Sequence, residues 1–205
     1  MIHIMSEFHV ANGTLLGYYG SDSTVIIPQG ITRIQWFGIK RSHPVNKVII
    51  PESVQHISDG AFMSAGIEEI VLPTGLRFIG EYAFAGNRLQ SIQIPQSIQT
   101  IRKSTFYGCS NLVEIILPDG LELIDCCAFS ECRNLSAIMI PASVKYIGQD
   151  AFQYCYKLSD VVFLGAETKI SDAAFEPLRN LVIRAPRDSL AIHFARQHGY
   201  RYKFL

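Results

Sequence analysis

Residues 112–132 read LVEIILPDGLELIDCCAFSEC, and this stretch is one copy of a pattern that recurs along the chain. Written generally, the pattern is L-x-x-I-x-I/L-P-x-G/S-V/L-x-x-I-x-x-x-A-F-x-x-C. Regular self-similarity of this kind is typical of repeat proteins, in which each unit contacts only its neighbours. The sequence therefore says much about architecture and little about a ligand.

Proline is the clearest marker of the repeat. Successive anchor prolines are separated by 23, 22, 22, 23 and 23 residues, and Leu164 stands where a seventh is due. An isoleucine follows each anchor by six residues, and a phenylalanine follows by eleven in six of seven copies, the first copy having Ile39 there. The anchors are Pro28, Pro51, Pro73, Pro95, Pro118 and Pro141; the isoleucines are Ile34, Ile57, Ile79, Ile101, Ile124, Ile147 and Ile170; the phenylalanines are Phe62, Phe84, Phe106, Phe129, Phe152 and Phe175.

Each copy predicts the same short course of the backbone. An alternating run such as Ile92-Gln93-Ile94 predicts a strand, and the anchor proline ends it because proline lacks the N–H needed for pairing. A glycine or serine two residues later suits a tight turn. A second extended segment follows, and we expect the Ala-Phe pair to lie on a short helical turn. Copies stacked at the strand spacing of about 4.8 Å would bury one interior column of isoleucines and one of phenylalanines.

The pattern L-x-x-I-x-I-P-x-S-V-x-x-I-G-x-x-A-F resembles the leucine-rich repeats of the BspA-like family. The best matches are residues 89–106, 112–129 and 135–152. The resemblance implies an α/β-type repeat solenoid: a right-handed arc of parallel strands with short helical turns, an N-terminal hairpin cap and a C-terminal helix-strand cap. It also implies a protein-binding role in adhesion, at the surface of a bacterial cell.

The unbroken repeat phase predicts a single domain over residues 1–205, with a cap at 1–20, about seven repeats at 21–180 and a second cap at 181–205. Asn12-Gly13 between two strand-like runs predicts a hairpin, and we expect Trp36 to pack under this cap. Asp188 or Ser189 is the expected N-cap of a helix that ends near His198, with Gly199 as its left-handed stop. Strands are expected at 181–186 and 200–205, and the apolar stripe of the helix is predicted to comprise Leu190, Ala191, Phe194 and Ala195.

Composition argues against several classes of protein. The chain has 205 residues, 48% hydrophobic and 18% charged, with a formal net charge of zero, so nothing favours nucleic acid as a partner. No apolar run reaches the roughly 18 residues needed to span a bilayer, which argues against membrane insertion. Residues 1–9 do not form a signal peptide. This leaves two alternatives, an intracellular protein or a chain that has lost its leader.

No catalytic, cofactor or metal motif emerges. Cys109, Cys132 and Cys155 are spaced by 23 residues, each three after a phenylalanine. We interpret them as buried thiols rather than a metal or redox stack, because free cysteine is readily buried and zinc-type C-x-x-C spacing is missing. One of Cys126 and Cys127 is expected to be exposed and reactive, which favours a reducing compartment. The six histidines are not paired, and scattered carboxylates can meet only across repeats.

The most informative column lies in the middle of each predicted strand, where side chains should point outward from the sheet. Six of its seven members are apolar, whereas the column two residues earlier is mostly polar. A third column, five residues after each anchor, includes Arg33, His56, Phe78 and Thr100. The outward column comprises Ile26, Ile49, Val71, Gln93, Ile116, Met139 and Val162. Either strand propensity alone explains it, or it marks a contact surface.

These observations favour a non-catalytic scaffold that presents a rigid sheet to a protein partner through the outward column. One alternative is an intracellular adaptor or a self-assembling protein. Another, from a different class, is a hydrolase that uses carboxylates on the exposed sheet; this would require two carboxylates to converge in a pocket.

Overall fold

The computed structural model describes residues 2–5, 7–35 and 45–205, the first four by their backbone only. They form a solenoid of about eight turns built from short parallel strands, with one helix near the C-terminus. Trp36 and Ile39 lie outside the described residues, as does most of the divergent end of the first repeat.

The N-terminal hairpin is confirmed. Strand β1 covers Ile2–Met5, β2 covers Phe8–Ala11 and β3 covers Thr14–Tyr18. Strand β2 lies between the other two and pairs antiparallel with each. Asn12 and Gly13 have φ of 49° and 70°, as expected for the two central residues of a type I′ turn. Strand β3 then pairs in parallel with Arg33 and Ile34 of the first repeat. The cap therefore covers the open edge of the sheet that these two residues begin.

Every repeat contributes two strands, a first strand before the anchor and a second strand after it. We number the repeats 1–7 by their anchors, from Pro28 to Leu164. The first strands are β4 (Thr24–Ile26), β6 (Lys47–Ile49), β8 (Glu69–Val71), β10 (Ser91–Gln93), β12 (Glu114–Ile116), β14 (Ala137–Ile140) and β16 (Asp160–Phe163). The second strands are β5 (Arg33–Ile34), β7 (His56–Ile57), β9 (Phe78–Ile79), β11 (Thr100–Ile101), β13 (Leu123–Ile124), β15 (Tyr146–Ile147) and β17 (Lys169–Ile170).

Strands of one kind stack in parallel and in register, which makes two sheets along the solenoid. The second sheet runs from β3 through β5, β7 and β9, is interrupted, and resumes from β11 to β17. The first sheet falls into the groups β4-β6-β8, β10-β12 and β14-β16, the last continuing into the C-terminal cap. The interface between repeats 3 and 4 is therefore the place where both sheets lose their pairing.

The predicted interior columns are confirmed, except that Ile170, the last member of the isoleucine column, is half-buried. The isoleucines at positions 34, 57, 79, 101, 124 and 147 are at most 2% exposed. All six phenylalanines of the spine are fully buried, and successive rings stack with centroids 5.1–5.6 Å apart. Successive repeats thus pack ring on ring, and this stacking stabilises each repeat through its neighbours.

The segment that carries the Ala-Phe pair, which we call the turn side, differs from the prediction. Its residues form consecutive β-turns instead of a short helical turn. In repeats 2–6, φ is positive two residues before and two residues after the phenylalanine. In repeat 4 these are Ser104 and Gly108, with φ of 54° and 69°. Because alternate N–H groups point along the solenoid axis, they bond to the next repeat, as Phe106 N–H does to the Ala128 carbonyl at 2.9 Å.

The thiol column is buried and bonded to the backbone. Cys109, Cys132 and Cys155 are fully buried, and each thiol donates to the carbonyl of a phenylalanine in the previous repeat at 3.0–3.2 Å. Burial raises the pKa of Cys109 and of Cys155 to about 12. In repeat 3 the same slot holds Asn87, which accepts from Ile67 N–H and donates to two carbonyls.

The C-terminal cap matches its prediction with one correction. Strand β18 (Val182–Ala185) extends the first sheet, helix α1 spans Leu190–His198, and β19 (Arg201–Phe204) pairs in parallel with β18. Ser189 is the N-cap, since its side chain accepts from Ile192 N–H, and Gly199 ends the helix at φ 72°. The predicted apolar stripe was wrong at Leu190, which is 38% exposed; Ile192 is buried instead, because the helix turns that side towards the core.

Candidate interaction surface

The outward column runs along the first sheet in three paired groups, because the sheet is interrupted between β8 and β10 and between β12 and β14. Pairing places Ile26 opposite Ile49 and Ile49 opposite Val71, then Gln93 opposite Ile116 and Met139 opposite Val162. Two flanking buried residues in each strand, such as Ile115 and Leu117, fix the middle side chain on the outer face. We call these seven residues the apolar row.

Four of the apolar residues are largely exposed: Ile26 at 65%, Val71 at 55%, Ile116 at 50% and Met139 at 57%. Ile49 and Val162 are half-buried, and Gln93 is exposed. Four exposed apolar side chains on one line come to a few hundred Å², the range in which apolar patches mark contact sites. These side chains therefore lie on the outer face of the sheet, as predicted. Their role in binding stays a prediction.

A polar row lies beside the apolar row, two residues earlier in each strand. Its members partly neutralise one another: Lys47 Nζ lies 2.6 Å from Glu69 Oε1. At the C-terminal end, Asp160 Oδ2 lies 2.9 Å from Arg184 Nη2. Exposed pairs of this kind contribute little stability but help to select partners by charge.

Two features of this surface were not apparent from the repeat pattern. The line of the apolar row continues beyond Val162 into Arg184 and then Lys203, because β18 and β19 extend the sheet. Val113, just before β12, is 54% exposed and adds an apolar side chain beside the strands. The extension of the line was missed because β19 belongs to the C-terminal cap and not to a repeat unit, so the repeat pattern did not indicate that β19 pairs with β18.

The apolar row is divided at the interface between repeats 3 and 4. A cleft of about 290 Å³ opens there between β8 and β10, and Val71, Leu72, Gln93 and Pro95 are among its lining residues. Its walls are mixed apolar and polar, and Val71 and Gln93 are exposed. A cleft of this shape can receive one side chain of a partner, which is the usual form of an interface anchor.

The hydrolase hypothesis concerns carboxylates on this same sheet. Glu68 and Glu69 line a neighbouring cleft of about 330 Å³, but Glu69 is paired with Lys47 and the other side chains there are amides and a serine. Within the described residues, no group of three His, Cys, Asp or Glu side chains is arranged to hold a metal ion. No helix in the described part of the chain is long and apolar enough to cross a membrane.

Cys126 and Cys127 are both half-buried on the turn side, and all five cysteines are free thiols. Burial, with smaller contributions from Asp150 and Cys126, raises the pKa of the Cys127 thiol. The prediction that one of these two thiols is exposed was therefore wrong, because both side chains are half-buried.

With the repeat geometry established, comparison with known proteins identifies the family. The BspA type leucine rich repeat region matches in six copies, over residues 18–109 and 77–184. The chain belongs to this family. No curated protein matches the chain significantly.

Solved structures of bacterial leucine-rich repeat proteins are similar to this chain. A leucine-rich repeat protein from Eubacterium ventriosum is 19% identical, with 92% of this chain and 66% of that chain covered and a TM-score of 0.51. One from Bacteroides ovatus is 18% identical, with 89% and 66% covered and a TM-score of 0.48. The T. pallidum leucine-rich repeat protein is 25% identical, with 84% and 64% covered and a TM-score of 0.47. The chain thus spans slightly less than two thirds of each of these proteins.

Proposed function

We propose that this protein is a non-catalytic interaction scaffold whose apolar row docks on a protein partner. The observation that carries the proposal is the line of Ile26, Val71, Ile116 and Met139, each at least half exposed on one face of one sheet. Leucine-rich repeat proteins are typically scaffolds for protein interaction, which supports the same class of function.

The mechanism follows from rigidity. Strand pairing and buried neighbours hold each side chain of the apolar row at a fixed spacing, so little conformational freedom is lost when a partner binds. The cleft between β8 and β10 supplies one concave anchor point. The paired charges of the polar row, such as Lys47 with Glu69, surround the apolar contacts with a polar rim, as in most specific interfaces.

The finer proposal is adhesion at a bacterial cell surface, which rests on family resemblance alone. A second candidate, self-association, uses the same surface, because an exposed apolar row can pack against a second copy of itself. The two differ in whether the purified chain alone is a monomer.

The test compares the wild-type protein with the double variant I116D/M139D and with a matched control, M63D/Y156D. Met63 and Tyr156 are 56% and 63% exposed but lie on the turn side, so the control adds the same charge elsewhere. Proteins captured from extracts and culture supernatant of the source bacterium are identified and their affinities measured. We expect the row variant to lose about tenfold or more in affinity for a specific partner, since charges would be desolvated at the contact, while the control binds normally.

Light scattering on the purified proteins resolves the second candidate. A wild-type dimer that becomes a monomer in I116D/M139D but not in M63D/Y156D would identify a second copy as the occupant. Equal behaviour of all three proteins in capture and in light scattering would contradict the proposal, provided that circular dichroism shows both variants folded.

A further inference from the structure

The interface between repeats 3 and 4 leaves backbone donors unpaired on the second sheet. At the preceding interface, Arg77 N–H donates to the Gln55 carbonyl and Gly80 N–H to the Ile57 carbonyl, both at 2.9 Å. At the following one, Glu122 and Asp125 donate in the same way to Gln99 and Ile101. The equivalent donors between β9 and β11 are the N–H groups of Gln99 and Arg102, and among the described residues neither is bonded to the repeat before it.

The two residues that carry these donors, Gln99 and Arg102, line a cleft on the surface of the second sheet. The cleft has a volume of about 140 Å³ and lies between β9 and β11. Its polar walls are supplied by Arg77, Ser97, Gln99, Thr100 and Arg102. It lies on a different sheet from the apolar row, so it is a separate candidate site.

Stacking positions one of the two guanidinium groups. The Arg102 guanidinium lies 4.5 Å from the centre of the Phe78 ring. Phe78 in turn stacks on His56, with centroids 4.2 Å apart and planes 2° from parallel. Arg102 is also the one cationic residue at its position in the repeat. The other copies have Gln35, Ser58, Gly80, Asp125, Gly148 and Ser171 there. A cation held over an aromatic ring keeps its edge donors available.

The cleft carries positive charge without a balancing partner. Within the described part of the chain, neither Arg77 nor Arg102 forms an ion pair or a side-chain hydrogen bond. Partial burial, and then the charges of Arg33 and Arg102, lower the pKa of His56, whereas Asp59 is the one acidic group acting against them. The side chains and the backbone N–H groups therefore favour an anion at the same place.

We propose that this cleft binds a tetrahedral oxyanion, the sulfate or phosphate group of a ligand. Arg77 and Arg102 supply the charge, and the N–H groups of Gln99 and Arg102 donate to its oxygens. Such a group offers its acceptor oxygens to two guanidinium groups and two backbone donors in a tetrahedral arrangement, whereas the two oxygens of a carboxylate lie in one plane and share a single charge. Backbone N–H groups beside arginine are a common arrangement for binding such anions.

The experiment is an NMR titration of the ¹⁵N-labelled protein with inorganic sulfate, inorganic phosphate, acetate and chloride at constant ionic strength. We expect the amide signals of Gln99 and Arg102 to shift and saturate with sulfate and with phosphate, and to move little with chloride. A response to phosphate that follows its second ionisation, with no such pH dependence for sulfate, would show that the dianion is bound. Acetate binding as tight as sulfate binding would overturn the tetrahedral assignment.

The variant R77Q/R102Q tests the charged residues, and R88Q is the matched control for loss of an exposed arginine in the same region. Loss of charged hydrogen bonds should weaken sulfate binding about tenfold or more in the double variant and leave R88Q unchanged. If the double variant is misfolded, the single variant R77Q replaces it, because R77Q leaves the stack of Arg102 on Phe78 intact. We expect R77Q to lose part of the affinity for sulfate. Equal affinity in all variants, or shifts that never saturate, would overturn the proposal.

Discussion

The turn side and the strand sides behave differently at the interface between repeats 3 and 4. On the turn side, Tyr82, Phe84 and Gly86 donate to the carbonyls of Lys103, Thr105 and Tyr107 at 2.7–3.1 Å, and the rings of Phe84 and Phe106 stack at 5.5 Å. On the strand sides, neither β8 with β10 nor β9 with β11 is paired. Repeats 3 and 4 are therefore joined by backbone hydrogen bonds on the turn side, whereas their strands do not pair in either sheet.

The difference teaches that the interior columns and the backbone pairing contribute separately to a solenoid. The phenylalanine column passes through this interface without a change in spacing. The outer residues there depart from the repeat instead: Gln93 replaces an apolar member of the row, and Arg102 is the one cationic residue of its column. Both candidate clefts open where these departures occur.

Removal of a spine ring should produce the largest effect. Phe129 is fully buried between Phe106 and Phe152, so Phe129→Ala should lower the free energy of unfolding by about 3–5 kcal/mol. Urea denaturation followed by circular dichroism measures this. Tyr156→Ala, at a 63% exposed site, should change it by less than about 0.5 kcal/mol. Similar losses in the two variants would mean that the column does not hold the repeats together.

Asn87→Ala should have the next largest effect. Asn87 accepts from Ile67 N–H and donates to the carbonyls of Phe62 and Phe84 while 2% exposed. Its removal leaves buried polar groups unpaired, and we expect a loss of about 2–3 kcal/mol. Cys132→Ala, which removes only one weak donor in the equivalent column, should cost less in the same denaturation assay. If Asn87→Ala lowers the free energy of unfolding by less than Cys132→Ala does, the hydrogen bonds of Asn87 do not stabilise the interior as described.

The thiols should separate into two classes in a reaction with a thiol-specific reagent at pH 8. Cys109, Cys132 and Cys155 should not react in the folded protein, because they are fully buried and burial raises their pKa values. The half-buried Cys126 and Cys127 should react slowly, Cys127 faster as pH rises above its raised pKa. All five should react in denaturant. Rapid reaction of more than two thiols in the native state would show that the column is open.

The smallest expected effect concerns His56. Its pKa is lowered by partial burial and then by Arg33, with Arg102 acting in the same direction. The folded protein therefore gains stability from neutral His56 above the unfolded pKa and loses it as pH falls through the folded pKa. Arg102→Gln should raise the pKa of His56 towards 6.5, which an NMR titration of its ring protons measures. The control Lys145→Gln, which is remote in the sequence, should leave the pKa of His56 unchanged. If that pKa also stays unchanged in Arg102→Gln, Arg102 does not lie in the stack with Phe78 and His56.

Much of the fold could be predicted from the sequence, because each interior column repeats in every copy. The positions of the isoleucines, phenylalanines and cysteines determine where strands and turns must fall. The β-turns around the phenylalanines were missed, because residues such as Cys127 and Glu131 adopt positive φ without being glycine. Neighbouring repeats impose that conformation through their hydrogen bonds, and a single copy does not reveal it.

The candidate sites were predicted less completely. Alternation along each strand was enough to place Ile116 and Met139 on the outer face. The cleft near Arg102 was not predicted, because it depends on hydrogen bonds that fail to form between β9 and β11, and pairing is a property of two repeats together. Arg102 is the one cationic residue of its column, and that departure was the available signal.

Hydrogen exchange of individual amides tests the central comparison most directly. We expect the amides of Gln99 and Arg102 to exchange about tenfold or more faster than those of Glu122 and Asp125, their bonded counterparts one repeat later. At the same interface, Phe84 and Gly86 on the turn side should be as well protected as Phe106 and Gly108. Equal protection of Gln99 and Glu122, and of Arg102 and Asp125, would contradict the account.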